Sequence, residues 1–256
     1  LQIGTNSTAF NAIPDASNVT LNAGSTLALS FTAGGSETIG GLSGAGTVRQ
    51  NGGSANTLIV GSGNANGSFS GAINNVGGAI SFTKTGTGTQ TLSGTNSGYT
   101  GVTTISAGVL EAAALANGGT NSSIGASANA ATNLVFGAAT ATLRYTGSAN
   151  VTTDRGFTLS SGTSNAGATL ESSGSGAWTI PAAVAIGYGT VNEARALNLG
   201  GAGNGANTFA GTIANNGTGL TTVNKAGAGT WALTSNNSFT GQLNITAAQA
   251  GSEFRI

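Results

Sequence analysis

The sequence contains no cysteine, no histidine and no methionine, and only 5% of its 256 residues are charged. Without cysteine, the chain has no disulfide framework and no thiolate metal site. Without histidine, it has no imidazole base and no Ser-His-Asp triad. The missing cysteine also suits secretion, because a chain that crosses a membrane unfolded does well without thiols.

Charge is balanced as well as sparse. Seven basic residues match seven acidic ones. Binding to a phosphate backbone needs several basic side chains on one face, so we expect no nucleic-acid partner. The sequence has no basic run suited to a membrane surface and no apolar run near the roughly 18 residues of a spanning helix. The basic residues stand singly, at Arg49, Lys84, Arg144, Arg155, Arg195, Lys225 and Arg255.

The two ends of the sequence indicate a piece of a larger polypeptide. The chain begins without an initiator methionine or a signal peptide. Residues 251–256 read Gly-Ser-Glu-Phe-Arg-Ile and break the preceding pattern. Gly-Ser-Glu-Phe is what two common cloning sites encode in frame, so we interpret 251–256 as a cloning-derived or native tail. Residues 1–250 are then expected to form a single segment.

Short runs of alternating apolar and polar residues recur along this segment. Thr26–Leu29, Thr57–Val60 and Phe157–Leu159 are typical, and Gly, Asn or Ser bounds each of them. Such runs predict short strands with one face buried. The 45 glycines, together with the asparagines, supply the positive φ angles that tight corners need. Frequent corners between short strands predict an all-β chain that coils back on itself.

Internal repeats support a coiled architecture. Residues 69–110 and 209–248 share ordered matches at an offset of about 140 residues. Lys84 matches Lys225, and each is followed by a Gly-x-Gly-Thr step. A shorter echo of that step lies within 41–48. The smallest repeating unit is therefore one strand with its corner.

These residues resemble the autotransporter-associated β-strand repeat, also called the passenger-associated transport repeat. The first copy carries its signature from Lys-Thr-Gly-Thr-Gly-Thr at 84–89 to Gly-Val-Leu at 108–110. The second copy follows it from Lys225 to Ile245 and departs at Ala248, where the family has glycine. The resemblance implies a right-handed parallel β-helix in a secreted or surface-displayed, outer-membrane-associated bacterial protein. Many such passengers cross the outer membrane through a C-terminal β-barrel translocator of the same polypeptide, which is the partner that the resemblance implies. Some relatives are large surface proteins without a barrel, so the resemblance leaves the export route open.

The implied fold makes dimensional predictions. Coils stack about 4.8 Å apart, so about 20 residues per coil would give a dozen coils and a rod of roughly 60 Å. Threonine and asparagine should cover the outside, with asparagine ladders at corners. Unpaired strand edges at the two ends would favour end-to-end self-association.

The sequence predicts no catalytic residue, no metal ligand and no cofactor, and it leaves any ligand-binding residues unknown. The acidic residues never stand at adjacent or alternate positions. We interpret Asp154–Arg155 and Glu193–Arg195 as local surface ion pairs. Polysaccharide lyases with β-helix folds use Lys or Arg bases beside acidic Ca²⁺ clusters, and Ca²⁺-binding solenoids need repeated aspartates. Aspartate occurs only at positions 15 and 154.

Three other patterns have structural rather than functional interpretations. The Gly-x-Gly steps at 44–46 and 86–88 mimic part of a dinucleotide loop but are expected from composition. Threonines at 83, 85, 87, 89 and 91 would place five hydroxyls on one side of a strand, as in ice-binding solenoids, but the second copy does not repeat them. The larger aromatic residues are expected in the core or at a seam, with Trp231 outward or at a seam. They are Tyr99, Tyr145, Trp178, Tyr188 and Trp231, and a sugar-stacking platform is their alternative role.

Three hypotheses about function remain open. The first is a structural stalk or passenger segment, favoured by whole-chain repetition without a chemical constellation. The second is an adhesion module that contacts glycans or a host surface through one outer face. The third is a polysaccharide-active enzyme.

Overall fold

The chain folds as a parallel β-solenoid, in agreement with the fold class predicted from the sequence. The computed structural model describes residues 1–3, 12–31, 34–138, 140–159, 166–246 and 253–256. All ladders between the strands of these ranges are parallel. Successive strands step from one sheet to the next and return to the first sheet one turn later.

Two of the faces run along most of the solenoid. The ten-stranded face comprises β2 Val19–Leu21, β5 Leu42–Gly44, β8 Gly67–Phe69, β11 Thr89–Leu92, β13 Val109–Ala112, β15 Thr142–Tyr145, β18 Ala166–Ser172, β21 Arg195–Gly200, β23 Thr221–Lys225 and β25 Leu243–Ile245. The seven-stranded face comprises β4 Ser36–Ile39, β7 Asn56–Val60, β10 Ile80–Lys84, β12 Thr103–Ile105, β14 Leu134–Phe136, β17 Phe157–Leu159 and β20 Ile186–Tyr188.

The third face is built from two shorter sheets. One sheet comprises β1 Gln2–Ile3, β3 Thr26–Leu29, β6 Thr47–Gln50 and β9 Ala72–Asn75. The other comprises β16 Val151–Thr152, β19 Trp178–Ile180, β22 Ala206–Phe209, β24 Thr230–Leu233 and β26 Phe254–Arg255. Short 3₁₀ turns occupy Ser62–Asn64 and Ala131–Asn133.

Irregular backbone continues the stack between those two sheets. The amide of Tyr99 donates to the carbonyl of Ile73 at 3.2 Å, and the amide of Ala126 donates to the carbonyl of Tyr99 at 2.8 Å. The Thr153 hydroxyl then donates to the carbonyl of Ala116 at 2.9 Å. Leu115 and Ile124 are buried, so the segment 113–130 packs onto the solenoid.

Coil length varies much more than the sequence predicted. The side chains of Thr91 and Glu111 meet on adjacent turns 20 residues apart, whereas Glu111 and Arg144 meet 33 residues apart. The longer coil contains the segment 113–130. The expectation of a dozen 20-residue coils is therefore wrong. The chain makes about ten turns, and nine 4.8 Å steps give a length of roughly 45 Å.

The core is a column of apolar side chains that stack from turn to turn. Burial alternates along the strands, so that Leu58 and Val60 point inward while Ile59 between them is half-exposed. The rings of Phe136, Phe157 and Phe209 form successive edge-to-face contacts, with centroids 5.9 and 6.3 Å apart. Burying each such side chain contributes about 1.5–3 kcal/mol, and this nearest-neighbour packing holds the turns together.

Glycine allows two tight corners to stack closely. On the ten-stranded face, Gly44 ends β5 and Gly201 follows β21, with φ of 96° and 108°. A Cβ at Gly44 would overlap the carbonyl oxygen of Leu21, and one at Gly201 would overlap that of Ser172. These corners therefore need glycine for both its backbone conformation and its lack of a side chain.

The last strand of the ten-stranded face, β25, exposes the row of side chains that is buried in the strand before it. Leu243 and Ile245 of β25 are 38% and 56% exposed. Their register partners Val223 and Lys225 are buried.

Among the described residues, no helix has the length and apolar character needed to span a membrane.

Candidate functional site

A charged ladder runs across the outside of the ten-stranded face. Glu111, Arg144 and Glu171 are register partners on β13, β15 and β18. Arg144 Nη1 lies 2.9 Å from Glu111 Oε1, and Arg144 Nε lies 2.5 Å from Glu171 Oε2. The Thr91 hydroxyl adds a 2.7 Å bond to Glu111 Oε2. The solenoid therefore joins three charges that are far apart in sequence.

Within the charged ladder, the positive charge of Arg144 is paired with two negatively charged carboxylates. Burial disfavours the charge of Arg144, but the hydrogen bonds that it donates to Glu171 and Glu111 outweigh this effect and raise the pKa of the guanidinium. Arg144 lies between the two carboxylates, so the carboxylates do not form an isolated acid–base pair. Arg144 is therefore protonated at all physiological pH values.

A neutral amide ladder runs beside the charged one. Asn198 Nδ2 donates to Thr169 Oγ1 at 3.2 Å, and Asn224 Nδ2 donates to Asn198 Oδ1 at 2.7 Å. Asn244 Nδ2 extends the row to Asn224 Oδ1 at 2.8 Å. This asparagine ladder crosses the strands of a face, whereas the sequence predicted ladders at corners. Outside the strands, Asn121 Nδ2 donates to Asn96 Oδ1 at 2.7 Å, as that prediction requires.

A groove of about 330 Å³ opens where the charged ladder stops. Glu171 is in register with Gly200, which has no side chain to continue the row. Arg144 and Glu171 therefore line one part of the groove, and Asn198 lines another. Its remaining lining residues are Thr169, Ser173, Leu199, Gly200, Gly201, Ala202, Ala226 and Gly227. Arg144, Glu171 and Asn198 give the groove hydrogen-bond donors and acceptors, whereas most of its remaining surface is apolar.

The signature lysines lie inside the solenoid. Lys84 is fully buried, and its Nζ donates to the carbonyls of Thr85, Gly86 and Ala107 at 2.6, 2.9 and 3.3 Å. Lys225 Nζ donates to the two carbonyls that follow it, at 3.0 and 2.9 Å. Burial lowers the pKa of Lys84 to about 8. Each ammonium therefore caps the carbonyls of a glycine corner and does not face a substrate.

The predicted surface ion pairs at Asp154–Arg155 and Glu193–Arg195 are wrong in their placement of the arginines. Arg155 and Arg195 are 4% and 1% exposed. Arg155 bonds to the carbonyls of Ile124 and Gly125, while Arg195 bonds to those of Ala194 and Thr190. Both guanidiniums turn inward because a corner offers several carbonyls to a fork of N–H donors.

The threonine pattern does not form one flat array. Thr83 lies in β10 of the seven-stranded face, whereas Thr89 and Thr91 lie in β11 of the ten-stranded face. Residues 85–88 form the corner between these strands. The Gly-x-Gly steps at 44–46 and 86–88 each lead into a strand and not into a helix, so they lack the geometry of a dinucleotide loop.

The larger aromatic residues do not form an external sugar platform. Tyr99, Tyr145, Trp178 and Trp231 are buried, and half-buried Tyr188 donates its hydroxyl to the carbonyl of Ala214 at 2.7 Å. Trp231 was expected at a seam or outside, and that expectation is wrong. Its Nε1 donates inward to the carbonyl of Gly200 at 3.0 Å.

Acid clusters are similarly lacking in the described ranges. Glu37 is buried, and its carboxylate accepts the amides of Ala12 and Ile13 at 3.1 and 2.7 Å. Burial raises the pKa of Glu37, although the amide bonds oppose that shift. Within the described part of the chain, no three Asp or Glu side chains lie together as metal ligands would.

Stacked parallel turns, lysine-capped glycine corners and a polar outer face define a β-solenoid repeat protein. Residues 82–112 and 223–248 match the family model described as passenger-associated-transport-repeat. The chain therefore carries two copies of the passenger-associated transport repeat, which indicates a secreted or cell-surface location in association with the outer membrane. The resemblance noted in the sequence is thereby confirmed.

A curated relative supports the same assignment. Over 176 residues, 68% of this chain, the sequence is 41% identical to a protein of Brucella suis biovar 1 (strain 1330) named "Adhesin BmaC autotransporter". The matched region spans only 5% of that protein's length. No solved structure matches the chain significantly.

Proposed function

We propose that this chain is a non-enzymatic structural segment of an autotransporter passenger, which supports surface display or export of the larger polypeptide. The continuous parallel stack is the observation that carries this proposal. Its turns are joined by backbone ladders, and its buried lysines are bonded to corner carbonyls. Such a stack grows by adding turns, so it is well suited to spacing other parts of a polypeptide away from a membrane.

Surface display tests this proposal. The chain would be fused to an outer-membrane β-barrel translocator, the partner expected for such a passenger, and intact cells would be treated with protease. A folded solenoid should appear outside the cell as a protease-resistant fragment. A Gly201→Val variant, which disrupts a stacked corner, should lose that resistance. Retention of the folded wild-type segment inside the cell would contradict the proposal.

Adhesion through the outer groove is the second candidate function. The groove beside Gly200 favours it, and the relative named as an adhesin adds support. The ligand class that fits is a glycan or another hydroxyl-rich group of a host surface. Arg144, Glu171 and Asn198 offer both donors and acceptors to such a ligand, although aromatic stacking would not contribute.

The geometry of Gly200 provides a sharp test of adhesion. A Cβ there would lie 3.5 Å from Glu171 Cγ and 3.6 Å from the carbonyl of Ala226, which are ordinary contacts. Gly200→Gln should therefore fill the groove without disturbing the fold. Gly53→Gln is the control, because a Cβ at Gly53 meets open space. On a glycan array, the first variant should lose the wild-type signal and the second should keep it. Equal binding by all three proteins would exclude the groove.

The non-enzymatic assignment has its own experiment. A panel of acidic polysaccharides would be incubated with the chain, with and without Ca²⁺, and the release of unsaturated products or reducing ends would be measured. We expect no turnover, because the signature lysines face corner carbonyls. Turnover that disappears in an Arg144→Met variant would instead favour an enzyme.

A further inference from the structure

The dipeptide Asn117-Gly118 forms a tight turn in the segment 113–130. The amide of Thr120 donates to the carbonyl of Asn117 at 3.1 Å and closes this turn. Asn117 is exposed and Gly118 is half-buried, so water reaches both residues. Because glycine has no side chain, its backbone nitrogen is accessible to the amide carbon of the preceding asparagine. Attack by that nitrogen closes a cyclic imide, which is the first step of deamidation.

Asp154 contacts both reacting groups of this dipeptide. The amide of Gly118 donates to Asp154 Oδ1 at 2.8 Å, and the amide of Asp154 donates to Asn117 Oδ1 at 3.0 Å. The carboxylate is therefore placed to take the proton of the attacking nitrogen. The amide of Asp154 is placed to stabilise the negative charge that develops on Asn117 Oδ1. One residue thus supplies a proton acceptor and an electrostatic donor.

Neighbouring contacts hold Asp154 in this position. Its second carboxylate oxygen, Oδ2, accepts Asn129 Nδ2 at 3.3 Å. The hydroxyl of Thr153 donates to the carbonyl of Ala116 at 2.9 Å, on the residue before Asn117. On the other side of Asp154, the buried guanidinium of Arg155 bonds to backbone carbonyls of the same segment. The two reacting groups and the carboxylate are therefore kept in register by the stacking of two turns.

Two other Asn-Gly pairs are held in ways that oppose the same reaction. Asn66 Oδ1 also accepts a backbone amide, that of Thr89 at 2.6 Å, but Gly67 belongs to strand β8, whose extended backbone is fixed by its ladder. Asn216 is buried, and its Nδ2 donates to two backbone carbonyls at 2.6 and 2.9 Å, which retain the leaving nitrogen. The arrangement around Asn117 therefore does not follow from the dipeptide sequence alone.

We propose that Asn117 is a site of deamidation that Asp154 promotes. Gly118 N attacks Asn117 Cγ, and the proton of this nitrogen passes to Asp154 Oδ1. The bond between Cγ and Nδ2 then breaks, and Nδ2 takes a proton from the carboxyl group and leaves as ammonia. Water opens the cyclic imide to aspartate or isoaspartate. The balance requires no oxidant or reductant, and the product adds a negative charge beside Asp154.

Ageing of the whole chain at neutral pH tests this proposal. Asn51 and Asn204 are also exposed and also precede glycine, so they are reference sites within the same molecule. Peptide mapping by mass spectrometry, with detection of isoaspartate, gives the rate at each site. In the folded chain, Asn117 should react at least about tenfold faster than either reference site. In urea the three rates should become similar, because only folding brings Asp154 to Asn117.

One variant and one control isolate the role of the carboxylate. Asp154→Asn keeps an oxygen that accepts the amide of Gly118 but removes the proton acceptor, so it should slow the reaction at Asn117 at least about tenfold and leave the reference sites unchanged. Asn129→Ala removes a neighbouring contact and keeps the carboxylate, so the fast reaction should persist. The proposal would be overturned if folded Asn117 reacted no faster than the reference sites, or if Asp154→Asn left its rate unchanged or increased it.

Discussion

Lys84 and Lys225 occupy matching positions in the two sequence repeats, yet they end strands on different faces of the solenoid. Lys84 closes β10 of the seven-stranded face, whereas Lys225 closes β23 of the ten-stranded face. The same sequence motif, a lysine followed by glycines, therefore forms two different corners of the coil. The sequence repeat describes a strand with its lysine-capped corner, and this unit does not depend on which face it occupies.

The first prediction concerns the lysine cap. Lys84→Met should lower the free energy of unfolding by about 2 kcal/mol, because buried corner carbonyls lose their donor. Arg49→Met is the control, since Arg49 is exposed and should tolerate the change. Chemical denaturation of the three proteins measures the difference. Equal stabilities would mean that the ammonium does not support the corner.

The second prediction concerns pH. Lys84 has a pKa of about 8 in the folded chain against a usual value of 10.5, so the unfolded chain binds more protons between these values. The contribution of Lys84 to stability should therefore rise with pH from about 8 toward 10. Burial raises the pKa of Tyr99 to about 12, which opposes this trend above pH 10. Burial also lowers the pKa of Lys225, which gives a gain of the same sign. Melting curves at about pH 7.5 to 9.5 should therefore show a larger gain in wild type than in Lys84→Met, which keeps only the contribution of Lys225. A parallel pH response of the two proteins would contradict this assignment.

The third prediction concerns stacked glycine corners. Gly201→Ala should cost at least about 3 kcal/mol, because positive φ and overlap with the turn above act together. Gly24→Ala has a positive φ of 81° but open space around the added Cβ, so it should cost only about 1 kcal/mol. Denaturant unfolding compares them. If Gly24→Ala proved as damaging as Gly201→Ala, close stacking of the corners would be excluded as the cause.

The fourth prediction concerns the charged ladder. Arg144→Met should lower the free energy of unfolding by about 1–2 kcal/mol, because Glu111 and Glu171 lose their common partner on a partly buried face. Arg255→Met is the control, since its pair with Glu253 is mostly exposed and should contribute almost nothing. Thermal melts at low and high salt measure both. An equal effect of the two substitutions would show that register on the outer face adds no stability.

The fifth prediction concerns association. Leu243 and Ile245 present apolar side chains on a strand edge, so we expect the isolated chain to associate end to end as its concentration rises. Replacing both with lysine should keep the chain monomeric, while Val191→Lys on another exposed site should not. Analytical ultracentrifugation distinguishes the cases. A wild-type chain that stays monomeric at high concentration would contradict this prediction.

Local features of the fold were predictable from the sequence. Period-2 alternation and Gly or Asn boundaries predicted the strands, because burial on one face of a pleated strand imposes that pattern. The direction of Trp231 was not predictable. Its partner position in the first copy is Gln90, a polar residue that suggests the outside, yet Gln90 is also buried and bonds to the backbone of Leu42.

The outer site could not be predicted, because it depends on register between turns. Glu111 meets Arg144 after 33 residues, and Arg144 meets Glu171 after 27. Loop length sets these separations at little energetic cost, so strand patterns do not reveal them. The groove beside Gly200 has the same origin, since only the register places a residue without a side chain next to Glu171.

Far-UV circular dichroism with thermal melting, in added Ca²⁺ and in chelator, tests the central claim that this chain is a self-supporting stack of β turns. A self-supporting stack should give a β spectrum and one cooperative transition with the same midpoint in both conditions. A coil spectrum, or a midpoint that falls sharply when Ca²⁺ is removed, would contradict it.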